Sequence, residues 1–137
     1  DKGEVFTPED VPAQDINYSY VNNLFKQAIE DHAMSKEVLD KIEEMDNYVI
    51  QHFRIAFGNR IVMHMKKFVP VYVACGGTEV SGVDYFIARK ILRKFEQLNV
   101  AYIRDEIDGF VEFLNKTFGE NEMKECIEYL LRLKKLA

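Results

Sequence analysis

The chain has 137 residues, 47% of them hydrophobic, with ten Phe, seven Tyr and no Trp, which is enough apolar side chain for one domain core and too much for a disordered chain. Its 18 Lys and Arg against 23 Asp and Glu give a formal net charge of −5. That balance argues against a domain gripping nucleic acid over its whole surface, a mode that needs cations to displace counterions from phosphates.

In chain order, residues 1–15 carry Pro8, Pro12 and several acids without apolar periodicity, and are read as an extended lead-in or linker. Residues 16–137 form the domain. From Tyr18 to about Ala33, Val21, Leu24, Phe25, Ala28 and Ile29 recur at helical spacing, with Glu30, Asp31 and Lys26 mostly on the other side. Ser35 is the expected N-cap of a second helix. Its stripe runs through Val38, Ile42, Met45, Val49, Phe53 and Ala56, and Gly58 ends it where a left-handed backbone is easiest.

A third, largely apolar segment runs from Asn59 or Arg60 to Ala74. Pro70 removes a backbone donor and disfavours helix at Val69, so the segment either kinks there or becomes extended over Val71-Tyr72-Val73; helix is the favoured reading. After the break at Cys75-Gly76-Gly77-Thr78, a fourth helix is expected from Gly82 or Val83 to Gln97, aligning Val83, Ile87, Ile91 and Phe95. A fifth spans about Ile103 to Thr117 and a sixth about Glu120 to Lys135, with Lys134 and Lys135 placed where cations favour the helix dipole. The sum is an all-α helical bundle of about five to six helices.

Chemistry-bearing patterns are sparse. Gly77-Thr78-Glu79-Val80-Ser81-Gly82 has the glycine spacing of a phosphate loop, but Val83-Asp84 stand where such a loop needs Lys and then Ser or Thr. An interhelical loop is the better account. His32, His52 and His64 have no metal-ligand spacing and are expected on the surface or at its boundary. Cys75 and Cys126 lack CxxC partners, so buried free thiols are expected. The carboxylates Glu43, Glu44, Asp46, Asp105, Glu106 and Asp108 read as solvated faces. No apolar run approaches the roughly 20 residues that span a bilayer, and no leader pattern opens the chain, so a cytoplasmic location is expected. Arg89, Lys90, Arg93 and Lys94 crowd into little more than one turn, as a solvated face or as a contact to a neighbouring subunit or a phosphate.

The stretch Phe57-Gly58-Asn59-Arg60, then Ile61-Val62, then Asp84 through Lys94 with Lys90-Ile91-Leu92-Arg93-Lys94, resembles the helical lid that follows the nucleotide-binding core of AAA+ NTPases of the McrB type. The match covers mainly Lys41 to about Glu96, with looser agreement through the last two helices. Many relatives have Pro where this chain has Arg93, a departure that permits an uninterrupted helix here. The resemblance implies an AAA+ lid-like bundle that is inactive alone and lacks Walker A and Walker B. It implies that Arg60 acts as sensor 2, reaching the nucleotide phosphates in a core missing from this chain. It further implies ATP or GTP with magnesium in the full-length protein, a homo-oligomeric ring of neighbouring subunits, a nuclease subunit and DNA as partners, and no membrane. An Arg covering a helix end or pairing with a nearby acid is the plain account of Arg60. A free-standing helical interaction or regulatory module is the alternative for the whole chain, and a small nucleic-acid binder using Arg89 to Lys94 is a third.

Overall fold

The computed structural model describes residues 18–136; the lead-in expected over residues 1–15 lies outside them. Among the described residues there are six α-helices: α1 (Tyr18–Asp31), α2 (Lys36–Phe53), α3 (Gly58–Ala74), α4 (Glu79–Lys90), α5 (Val100–Phe118) and α6 (Lys124–Lys135), with a 3₁₀ helix, Leu92–Gln97, between α4 and α5. The all-α bundle expected from periodicity is the observed architecture. Helix α3 packs on α4 and α1, α4 and α5 pack on α6, and α2 packs on α5.

The core is built from the stripes that the sequence displays. Val38, Ile42, Met45, Val49 and Phe53 of α2 are all buried, as are Ile107, Phe110 and Leu114 of α5. Phe53, Phe95 and Phe110 meet with centroids 4.7 to 6.0 Å apart, within the range of favourable aromatic pairing. Residues at i, i+3 and i+4 share a helix face, and removing that face from water supplies most of a helix's stability in a protein.

Helix ends are held by side chains from distant elements. Ser35 caps α2 by accepting from the Val38 N–H at 3.2 Å, and its own N–H and hydroxyl donate to Glu79 at the start of α4. One carboxylate thereby serves two helix N-termini, where negative charge is favoured. Thr78 caps α4 through Ser81 N–H at 3.1 Å. Asp84, buried on α4, accepts from Glu125 N–H and Cys126 N–H, each at 2.8 Å, at the start of α6.

Helix ends differ from the sequence reading at α2 and α4, whereas the favoured helical reading through Pro70 is what the structure has. Helix α2 stops at Phe53, with Arg54 in the left-handed region at φ 61° donating to Ile50 O; Gly58, at φ 79°, opens α3 instead of closing α2. The physical reason is Phe57, which must be buried whereas Ala56 stays exposed, so the chain turns before the stripe runs out. Helix α3 continues through Pro70 to Ala74; the carbonyl orphaned by the missing N–H belongs to Lys66, an exposed position where water can satisfy it. The expected single helix up to Gln97 is instead α4 followed by 3₁₀, although Arg93 supplies an N–H that Pro would lack. The tighter helix stacks residues three apart, placing Leu92 and Phe95 one above the other, both fully buried.

Candidate functional site

Arg60 sits in the first turn of α3, behind a backbone turn anchored at Phe57. Phe57 is 1% exposed, and its N–H donates to Asp46 Oδ1 at 2.9 Å. Gly58 then adopts its positive φ with open space around its Cα. Asp46 is thus half-buried and engaged in holding the turn. The Arg60 side chain is exposed and, among the described residues, makes no ion pair or side-chain hydrogen bond. Of its two plain accounts, the pairing with a nearby acid is not made among the described residues, while a place at a helix end is what the first turn of α3 gives it.

The basic cluster of α4 and the 3₁₀ helix is divided by the break between them. The Arg89 guanidinium lies 3.4 Å from the Tyr85 ring centroid, donates to Tyr85 O at 3.3 Å and pairs with Glu125 of α6 at 3.5 Å. Arg93 faces the same cleft, which Glu96, Glu125, Glu128 and Arg132 also line. Lys90 and Lys94 share a smaller depression with Arg93, Glu96 and Gln97. Lys90 also reaches a second, apolar groove. Arg89, Lys90, Arg93 and Lys94 are all exposed, yet they do not point at one spot. Arg60 lies in none of these clefts.

The glycines of Gly77 to Gly82 serve packing. A Cβ on Gly77 would overlap the Tyr72 ring, and one on Gly82 would stand 3.1 Å from Tyr72 Cδ1. The Tyr72 hydroxyl in turn meets Ser81 Oγ at 3.0 Å. Only Gly77 and Thr78 of this stretch lie in the interhelical loop; residues 79–82 already belong to α4, which starts before the expected Gly82 or Val83, and the two glycines make room for an aromatic ring.

Other candidate chemistry resolves into structural pairs. His52 Nδ1 and Glu106 Oε1 are 2.8 Å apart, and Tyr48 stacks on His52 at 4.1 Å. Burial, helped by Glu106 and Glu112, pushes the Tyr48 phenol up from its ordinary value. Asp108 pairs with Lys134 at 2.8 Å. His32 and His64 are exposed. Cys126 is a buried free thiol, as expected, but Cys75 is exposed. Burial, and then the Asp84 carboxylate, push the Cys126 thiol well above its ordinary range, which keeps it protonated and inert. Among the described residues no three His, Cys, Asp or Glu gather to hold a metal, and no helix is long and apolar enough to cross a membrane.

One feature was not legible in the sequence. Between α1 and α3 runs an open groove of about 680 Å³, lined by Phe25, Ile29, Phe68, Val71 and Phe86, with Lys26, His64, Lys67 and Lys90 along it. Lys26, read from periodicity as lying on the polar side of the first helix, belongs to this rim. The signal available was weak: Val21, Leu24 and Phe25 form an apolar stripe, but nothing in it says that the stripe stays exposed, as it does at 38%, 52% and 48%.

Comparison with protein-family models, with curated proteins and with solved structures found no match.

Proposed function

We propose that this domain is the helical lid of a AAA+ NTPase of the McrB type, with Arg60 as its phosphate-facing arginine. The observation that carries the reading is the anchored turn before α3, which leaves an exposed guanidinium without a partner among the described residues. Guanidinium stays charged at all relevant pH and offers a planar set of donors to phosphate oxygens. A rigid backbone behind it limits the ordering cost when a second domain presents the phosphate. In this reading the missing core binds ATP or GTP with magnesium, and the lid catalyses nothing alone. Lid motion couples hydrolysis to a cytoplasmic homo-oligomeric ring serving a nuclease subunit and DNA. Arg93, Lys94 and Lys90 then face a neighbouring subunit or a phosphate, while Arg89 is chiefly a brace between α4 and α6.

The test uses the protein joined to its native nucleotide-binding core. Arg60→Ala is expected to lower nucleotide hydrolysis by roughly tenfold or more, the scale of losing one charged donor at a reacting phosphate, with helical circular dichroism and Tm unchanged. Unchanged turnover removes Arg60 from the pocket. A native reading frame without Walker A and Walker B ahead of Asp1 removes the lid assignment itself. The second reading, a helical interaction module without nucleotide, is favoured by the exposed apolar side chains of α1, since contiguous exposed apolar surface commonly marks a protein contact.

A further inference from the structure

We infer that the cleft between α6 and the end of α4 with its 3₁₀ helix binds a free α-amino acid with an apolar side chain. Arg93 and the Tyr129 hydroxyl take its carboxylate, Glu96 takes its ammonium group, and its side chain lies toward Leu133 and Leu136. This does not rest on the lid reading.

The first argument is an orphaned hydroxyl. Tyr129 Oη is buried and has no hydrogen-bond partner among the described residues, where no other buried side-chain oxygen or nitrogen lacks one. Phe in its place would keep the ring packed on the core and spare the cost of an unsatisfied polar atom, so the hydroxyl calls for a partner. Tyr129 lines the cleft, whose volume of about 520 Å³ is that of a small-molecule site. A phenol O–H donates, and an ionised carboxylate is a strong acceptor for it.

The second argument is charge balance. Three guanidiniums and three carboxylates line the cleft. Two of each are already matched, Arg89 with Glu125 at 3.5 Å and Arg132 with Glu128 at 3.3 Å. Arg93 and Glu96 remain, both exposed. A lone anion here would meet the carboxylates and a lone cation the guanidiniums, whereas a zwitterion offers one charge of each sign to the one open partner of each sign. Arg93 and Glu96 are one turn apart on the 3₁₀ helix, where residues three apart stack, so they stand side by side as two groups on one α-carbon require. Any pairing of the two with each other is an exposed one, worth little, and yields to a ligand.

The third argument is the adjoining surface. Glu96, Tyr129 and Arg132 also line a second depression, together with Leu133 and Leu136, and Leu136 is 80% exposed. Tyr129 and Glu96 thus stand at the junction between a cleft lined by charges and one lined by leucines. A ligand whose charged groups and apolar side chain share one carbon spans that junction, and covering Leu136 removes apolar surface from water.

The experiment titrates the full chain with L-leucine and follows backbone and side-chain shifts by NMR. Saturable shifts are expected at Arg93, Glu96 and Tyr129, and none at Arg60. Leucinamide, which lacks the carboxylate, and N-acetyl-leucine, which lacks the ammonium group, should each bind roughly tenfold more weakly or worse, the scale of one lost hydrogen bond to a charged group. Tyr129→Phe should weaken leucine binding by a similar factor and leave the Tm of the free protein unchanged or higher, since it removes an unsatisfied donor. Glu96→Gln, at an exposed position, tests the ammonium contact without touching the core. The proposal is overturned by any of four results: no saturable shift with leucine; binding of leucinamide or N-acetyl-leucine as tight as that of leucine; leucine binding unaffected by Tyr129→Phe or by Glu96→Gln; or a lower Tm for Tyr129→Phe, which would mean that the hydroxyl already has a partner. Arg60→Ala leaves leucine binding untouched, so failure here and failure of the lid reading are separable.

Discussion

Asp84 carries a disproportionate share of the fold's specificity. It is 3% exposed, and its two carboxylate oxygens accept from the Glu125 and Cys126 N–H groups in the first turn of α6, while Cys126 Sγ donates to its backbone carbonyl at 3.4 Å. The charge sits at the positive end of the α6 dipole, which favours it. Replacing Asp84 by Ala leaves two backbone donors unsatisfied in or near the core, and about 2–3 kcal/mol of stability should be lost, read as a lower urea midpoint at constant m. Asp84→Asn keeps one acceptor oxygen and should lose less; equal losses for the two would contradict this account. In the sequence Asp84 is one letter of a motif resembling a family lid, with no sign that it caps a helix some forty residues on. Arg60 shows the reverse case. The Phe-Gly-x-Arg order announced a turn and a helix start, and the structure has both, because Phe57 demands burial and Gly58 tolerates a positive φ.

At the scale of elements, helix ends are set by what must be buried next. The stripe of α2 continues to Ala56, but the helix closes at Phe53 so that Phe57 can enter the core. The segment from Val83 to Gln97 has one continuous apolar period, yet it divides at Ile91, since tertiary packing outweighs local propensity of a few tenths of a kcal/mol per residue. The loop between α3 and α4 gives a direct test of its glycines. Gly77→Ala pushes a methyl group into the Tyr72 ring and should lower stability by about 1–3 kcal/mol, the usual cost of overpacking. The double variant with Tyr72→Ala should recover part of that loss in a thermal melt. If Gly77→Ala alone is neutral, ring and loop are not in the contact described. The two-glycine spacing was visible in the sequence, and the absence of Lys and Ser or Thr after it was enough to set aside phosphate binding. The role of the spacing required knowing where Tyr72 lies.

Across the whole molecule, stability is unevenly distributed. Helices α2, α3, α4, α5 and α6 contribute to one continuous core, whereas α1 has no buried residue and rests on α3. Helices with few buried contacts open locally at lower free energy than the core. Amides of α1 should therefore exchange with deuterium about 100-fold faster than those of α2 and α5, corresponding to roughly 2.7 kcal/mol less protection. Hydrogen-exchange mass spectrometry reads this directly, and uniform protection from Tyr18 to Leu136 would refute it.

The sequence by itself determined the fold class, the number and rough extent of the helices, the N-cap at Ser35 and most of the buried stripe, because apolar residues at a 3.6 period can be covered in few ways. It also supplied Arg60 as a residue of interest. Only the tertiary structure decided which carboxylates bind backbone N–H groups across the bundle, how the Arg89 to Lys94 cations are divided, and that a lysine-rimmed apolar groove stays open beside α1. Those properties depend on distances between helices far apart in the chain, and periodicity, which reports one helix at a time, carries no information about them.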